Sequence, residues 1–366
     1  MGKSKNWCVT GFSMQTVAGT ENNFNLNQTV GYTSSQKSDW TTCVDQSSIE
    51  KFYECIEKTI IRALVMAKLD IDSQYKISLI VASNFFENSF LEKNSEHREY
   101  VIPKLKSKFK INSLVISNST ACASGASAIV TACQILDEKI SDICIVVGYD
   151  IESEIPKNGM KRLGALSKDT ISPFSLKRTG TDLADGIGVL IIENFDSVKN
   201  RNSKIYSQII GYGVNNDAYN PTSPNPSGIA LFNGMKNALK MANILIEEIT
   251  YNNAHGSGTV LNDLIETNII KKIFKEHSYK LFINSSKSII GHTLGAAGIV
   301  ELIITIIQMN NQTIHPTANF LDYDSNCDLN YNFKKSTCLN VEYAISNSIG
   351  FGGTNISIVL KKGDVI

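Results

Sequence analysis

CASGASAIV at residues 122–130 and HTLGAAGIV at residues 292–300 align without a gap. Gly125 falls on Gly295, Ala126 on Ala296, and the pair Ile129, Val130 on Ile299, Val300. The copies start 170 residues apart (122 against 292) in a chain of 366, close to half its length. Their surroundings repeat as well. An apolar, β-branched run at 111–117 reads as a strand ahead of the first copy, and a short strand at 281–284 precedes the second. After each small-residue helix, a glycine-rich turn feeds an apolar strand: ADGIGVLIIE at 184–193 and GFGGTNISIVL at 350–360. Such helices resemble one another by composition alone, so the matched strand-and-turn context carries the inference of duplication. Two alternating halves of one plan predict a duplicated α/β fold, with parallel-rich sheets covered by helices.

Working outward, the first half opens with a strand at 7–10. A polar stretch at 19–46 reads as loop. Residues 49–68 have helical periodicity, with Phe52, Cys55, Ile56, Ile60, Ala63 and Leu64 on one side. Strands follow at 77–83, 140–148 and 186–193, and the charged segment 84–108 holds a second helix at most. The polar run DSVKNRN at 196–202 is the candidate boundary, giving halves at 1–202 and 203–366. The second half reads as a strand at 205–213, a helix at 228–245, a long helix from about Gly295, and strands at 343–347 and 355–361.

Lys plus Arg and Asp plus Glu each number 35, so the net charge is zero and nothing suggests a nucleic-acid footprint. None of the eight cysteines forms a CxxC pair and several sit in apolar runs, which points to a reduced, cytoplasmic protein without a disulfide scaffold or zinc site. Residues 1–6 are short and basic, but a strand-like segment follows in place of an apolar core, so no signal peptide is expected. The apolar helix 298–309 contains Glu301 and reads as too short to span a bilayer, so no membrane insertion is expected.

Chemistry enters at Cys122, which lies where a strand meets a helix start. Unpaired N–H groups and the positive end of the helix dipole favour a lowered thiol pKa there. If the halves are related by pseudo-symmetry, the equivalent helix starts face a common centre, and Cys122 meets His292. Isolated histidines are more often packed than catalytic, and His97, His277 and His315 are read that way. His255 in NAHGSGT and His292 in KSIIGHTLGAAG differ, because the adjacent Gly256 and Gly291 indicate close backbone approach. One cysteine with two histidines suits thioester chemistry, the thiol taking an acyl group and imidazole N–H groups stabilising an enolate or oxyanion.

TACASG around Cys122, NAHGSGT around His255, KSIIGHTLGAAGIVE around Lys287 and His292, and SNSIGFGGTN at 346–355 together resemble the β-ketoacyl-acyl carrier protein synthase family. The likeness is to its elongating branch and runs from residue 9 to the last strand, strongest after residue 118. PFSLKRTG at 173–180, DGIGVLIIE at 185–193 and GYGVNNDAYNPTSP at 211–224 support it. The resemblance implies the thiolase fold, two βαβαβαββ halves forming a layered αβαβα sandwich. It implies that Cys122 accepts an acyl chain from an acyl carrier protein, and that His255 and His292 bind malonyl-carrier and assist its decarboxylation. The enolate then attacks acyl-Cys122 to give β-ketoacyl-carrier, with N–H groups of Cys122 and Phe351 as oxyanion hole. Lys287 and Glu301 match an organising ion pair, Phe351 the gating aromatic, and Ser257 and Thr259 hydroxyls that hold the pantetheine arm. Gly352 and Ile349 flank the gate. No redox cofactor or metal is implied.

Departures from the family pattern concern the pocket. The chain before Cys122 is short, the loop at 83–90 lacks the usual glycine-rich turn, Thr181 stands where an aromatic is usual, Asp185 where Glu is usual, and Ile349 replaces a second aromatic. They point to a specialised synthase, for instance of a polyene or other type II polyketide, acting as a homodimer or with a related chain-length-factor subunit. Three alternatives share the fold. A starter-condensing synthase would use Cys-His-Asn, whereas His292 in the GHTLGAAG context argues for Cys-His-His. A silent chain-length-determining subunit would usually lack the nucleophile. A thiolase would carry a second cysteine in the C-terminal glycine-rich turn, where this chain has Phe351.

Overall fold

The structure, a computed structural model, describes residues 6–28, 31–32, 48–72, 74–86 and 101–363. Most of the expected loop at 19–46, His97, Cys43 and the loop beyond residue 86 lie outside them. In the first half the strands are β1 Trp7–Thr16, β2 Ile77–Ala82, β3 Val115–Asn118, β4 Ile143–Asp150 and β5 Gly186–Asn194. In the second they are β6 Ser207–Asn216, β7 Ile249–Asn253, β8 Phe282–Asn284, β9 Tyr343–Ile349 and β10 Thr354–Lys362. The helices are α1 Ile49–Met66, α2 Val101–Lys108, α3 Ser124–Asp137, α4 Glu154–Arg162 and α5 Phe195–Arg201. They continue with α6 Ile229–Ala242, α7 Val260–Phe274, α8 Lys287–Ile290 and α9 Ala297–Asn311.

The duplication is explicit in the strand order. One array runs β3-β2-β4-β5-β1 and the other β8-β7-β9-β10-β6, the same order shifted by five strands. Directions repeat too: β2 is parallel to β3 and β4, and β7 to β8 and β9. The β4–β5, β5–β1, β9–β10 and β10–β6 pairs are antiparallel. The sheets are therefore mixed, not parallel-rich: each array holds two parallel and two antiparallel strand pairs. The arrays join where Trp7–Val9 of β1 pair antiparallel with Ser207–Ile209 of β6.

Side-chain alternation along the strands builds five layers. On β2, Leu79 and Val81 face α1 in an outer core, while Ile80 and Ala82 face α3 and α9 in the central one. On the far side, Ile345 and Val359 pack with α6 and α7, while Ala344, Ile356 and Ile358 turn inward. The order is helix, sheet, α3 with α9, sheet, helix. The central helices touch because small residues, Gly125 and Ala126 on α3 and Gly298 on α9, meet where they cross. A Cβ on Gly298 would sit 2.5 Å from the Ala126 amide nitrogen, and one on Gly125 2.8 Å from that of Ile299. The apolar run Leu294–Asn311 extends further than the sequence suggests. At 18 residues it is long enough for a bilayer, but 89% of it is buried in this central layer.

Several elements differ from or escape the sequence reading, among them α4, which it does not expect, and α5, which occupies the polar run taken as the boundary. The strand expected at 111–117 lies at Val115–Asn118, because α2 closes with Ile111 N–H on Lys106 O. It is a half-exposed edge strand. Helix α7 was hidden because its buried face carries Asn262, Asp263, Glu266 and Thr267, which break any apolar periodicity. Strand β7 buries Asn252 and Asn253 for the same reason.

Candidate active site

Strand β3 ends at Asn118, and the chain turns sharply before α3. Ala121 takes a left-handed φ of 50°, a strained conformation for a residue with a side chain. Ser124 locks the turn: its Oγ accepts from Thr120 N at 2.8 Å and lies 2.6 Å from Ala121 O, to which it donates. Cys122 projects from this turn into the base of a cleft of about 280 Å³. His255 and His292 line the same base, and Met160, Leu163 and Val260 line its walls. Ser257, Thr259, Ile349, Phe351 and Gly352 line it as well. The structure thus brings together eight of the ten residues singled out, and places the other two, Lys287 and Glu301, directly beneath.

The thiol does not have the lowered pKa expected from its place before a helix. Burial pushes it up to about 11, against the pull of Lys287 and of the backbone N–H groups of Phe351 and of Cys122 itself. Position along the chain shows the helix start but not the desolvation, and desolvation is the larger effect here. The two N–H groups that act on the sulfur, those of Phe351 and Cys122, are the ones the family resemblance implies as the oxyanion hole.

Both histidines are neutral. Burial, then the Lys287 charge, hold His255 and His292 well below the ordinary imidazole range, and His292 adds a smaller effect on His255. Their tautomers follow from the backbone. Nδ1 of His255 accepts from the Ile349 N–H at 3.3 Å and lies 3.3 Å from Lys287 Nζ. Nδ1 of His292 accepts from the Leu294 N–H at 3.3 Å. With Nδ1 occupied as acceptor, each ring carries its proton on Nε2. The rings stand edge to face, 5.9 Å apart at 86°, so two neutral donors converge near the thiol.

Lys287 and Glu301 are fully buried. Lys287 Nζ donates to Glu301 Oε1 at 2.5 Å and to His255 O at 2.7 Å. Burial pushes the Glu301 carboxyl up and Lys287 draws it back. The pair fixes the backbone of His255, and Glu266 of α7 fixes it from the other side, accepting from His255 N at 2.8 Å and Gly256 N at 2.9 Å. Glu266 escaped the sequence reading. Its only signal was an acidic residue on the helix entered from the NAHGSGT turn.

Phe351 is half-buried on a turn where Gly352 and Gly353 have φ of 80° and 82°. The turn is tied to the neighbouring loop: Gly352 N donates to Pro221 O at 2.7 Å and Asp217 N to Gly353 O at 2.8 Å. Ser257 and Thr259 stand with their hydroxyls 2.9 Å apart on the cleft wall. Thr181, one of the departures from the family pattern, also lines the cleft.

Two family models match this chain: the Beta-ketoacyl synthase, N-terminal domain, over residues 103–197 and the Beta-ketoacyl synthase, C-terminal domain, over residues 206–321. A 3-oxoacyl-(acyl-carrier-protein) synthase 2 of Coxiella burnetii is 35% identical over 262 residues, 70% of this chain and 63% of that protein. The Synechocystis protein of the same name is 35% identical over 250 residues, and the match spans 60% of its length. A Schizosaccharomyces pombe relative, named as a mitochondrial 3-oxoacyl-(acyl-carrier-protein) synthase, is 31% identical over 370 residues, 89% of this chain and 86% of that one. Among solved structures, a type II PKS acyl-carrier protein complex with its ketosynthase bound to the hexaketide contains a similar chain. Its TM-score is 0.87 at 26% identity, covering 99% of this chain and 100% of that one. The ishigamide ketosynthase/chain length factor shares the fold, with a TM-score of 0.83 at 21% identity over 98% of this chain and 100% of that one.

Proposed function

The chain belongs to the β-ketoacyl synthase family, and on that premise we propose that it is a condensing enzyme joining an acyl group on Cys122 to the two-carbon unit of malonyl-acyl carrier protein. One observation carries the reading: Cys122, His255 and His292 share the base of one cleft, each imidazole held with Nε2–H free to donate.

In loading, the Cys122 sulfur attacks the carrier thioester, its proton ends on the departing carrier thiol, and no net base is consumed. The N–H groups of Cys122 and Phe351 hold the oxyanion. Malonyl-carrier then enters, its arm placed along Ser257 and Thr259, with the thioester oxygen between the two Nε2–H donors. Loss of carbon dioxide leaves an enolate whose charge falls on that oxygen. Neutral donors suit this step, because they stabilise the enolate without protonating it. The enolate carbon attacks the acyl carbonyl, the tetrahedral intermediate expels the Cys122 thiolate, and the thiolate takes up one proton from solvent, the single proton the condensation consumes. The buried site favours that last step, since it holds the thiol's pKa near 11. Atoms and charges balance without redox cofactor or metal, and carbon dioxide release drives the reaction. Lys287 and Glu301 organise His255, and Phe351 with Gly352 and Ile349 forms the gate between loading and extension.

The same reading divides the chain into thiolase-like halves at 1–202 and 203–366 and places it in a reduced, cytoplasmic setting. Its partners are an acyl carrier protein and a second ketosynthase-like subunit, identical or related; among the described residues β3 is an edge strand on which such a subunit could pair. A silent chain-length subunit fits less well, because nucleophile and both histidines are in place. A thiolase also fits less well: Cys327 is packed in the α6–α7 core and Cys338 lies on a two-residue strand, while Cys122 is the one described cysteine lining the cleft.

The test is reconstitution with malonyl-carrier and a panel of acyl carriers, with and without a partner subunit. The proposal expects β-ketoacyl-carrier longer by two carbons. Product formed equally by the Cys122→Ala variant would refute it.

A further inference from the structure

Asp150 ends β4, only 2% exposed, and plays no part in the chemistry above. Its carboxylate accepts four donors. Ser83 Oγ donates at 2.6 Å and Phe85 N at 3.3 Å to Oδ1, Asn84 N at 2.9 Å and Gly295 N at 2.6 Å to Oδ2. Three donors belong to the loop leaving β2 in the first half, and the fourth to the turn after His292 in the second. Each leads to a catalytic turn. Asn84 Oδ1 lies 3.1 Å from Ser124 Oγ, sharing with Ala121 O the hydroxyl that locks the turn of Cys122. Leu294, next to Gly295, supplies the N–H that fixes Nδ1 of His292. The fit is tight: a Cβ on Gly295 would lie 2.7 Å from Asp150 Oδ2 and 2.8 Å from Asn84 N. Gly295 is the glycine shared by the two sequence copies, and its counterpart Gly125 would place a Cβ 3.0 Å from Gly295 O. The carboxylate thus sits at the seam of the duplication, bridging the two turns that face each other there.

We propose that Asp150 is a positioning residue for the Cys122–His292 pair, its carboxylate holding the nucleophile turn and the histidine turn in one register. The proposal rests on the reading of Cys122 as nucleophile. A carboxylate serves here because backbone N–H groups need a strong acceptor in a buried place, and one side chain reaches donors from both halves. Its charge also reaches the nucleophile. Asp150 raises the Cys122 pKa, while Lys287 and the N–H groups of Phe351 and Cys122 lower it. Asp150 therefore makes the thiol harder to ionise while improving its placement, and removing it separates the two effects.

Asp150→Asn is measured in three reactions: acyl loading of Cys122, malonyl decarboxylation, which uses the histidines alone, and full condensation. A misplacement of the pair is expected to lower condensation at least about tenfold while both partial reactions stay within a few fold. Alkylation of Cys122 by iodoacetamide, followed against pH, should move to lower pH. Condensation unchanged, or all three reactions falling together, would overturn the proposal. If Asp150→Asn does not fold, Asn84→Ala is the second variant; it breaks only the link to Ser124, and the same pattern of losses supports the proposal while unchanged condensation overturns it. A wild-type protein in which Cys122 is never acylated overturns the nucleophile reading and the proposal with it.

Discussion

At the scale of single residues, the site runs on neutral groups held in place by charged ones. His292→Ala removes one of two Nε2–H donors, so malonyl decarboxylation should fall about 10²–10³-fold. Acyl loading of Cys122, supported by backbone N–H groups, should persist; loss of neither activity would remove His292 from the chemistry. Lys287 gives a second test. Lys287→Met leaves Glu301 buried without its cation, which should cost about 3–5 kcal/mol in denaturant unfolding. Adding Glu301→Leu should return much of that stability but not the activity, because the support under His255 is gone. A double variant no more stable than the single would contradict the ion pair's role.

Elements carry the next level. Close contact of α3 and α9 brings the two turns face to face, and Gly125 and Gly298 permit it. Gly298→Ala places a methyl 2.5 Å from the Ala126 amide, where backbone must move. Overpacking of this kind should cost about 1–3 kcal/mol in thermal or denaturant unfolding; a neutral or stabilising change would mean that the helices can part freely. The repeat was legible because small residues at a helix crossing leave a composition that survives as pattern. Helix α7 and strand β7 were not, because Asn252, Asn253, Asp263 and Glu266 are buried as hydrogen-bonding partners of backbone, and a reading based on apolar spacing takes them for surface. The proton affinity of Cys122 was misjudged for a related reason. A helix start is visible in sequence, whereas burial depends on residues up to half a chain away.

For the whole molecule, buried titratable groups pull stability in opposite directions with pH. His255 and His292 have folded pKa values below the unfolded value of about 6.5, so their contribution is present above it and is lost as pH falls. Glu266, Asp150 and Asp185 are pushed up by burial, to about 7, 6 and 6. What they contribute is full below their ordinary range near 4 and is lost as pH rises through those values. Glu266→Gln removes the highest of the three, so its melting temperature relative to wild type should rise from about pH 5 to pH 8. Parallel curves would show that Glu266 does not titrate in the folded state. The family and the site motifs were readable chiefly from residue 118 onward, where the four motifs lie. Asp150 was not, because its importance lies in four donors gathered from two halves of the sequence.

The most direct measurement is peptide mass spectrometry after incubation with an acyl carrier thioester. The account predicts an added acyl mass on the peptide bearing Cys122, and none on any peptide of Cys122→Ala. An adduct on another cysteine, or one that survives in the variant, would contradict it.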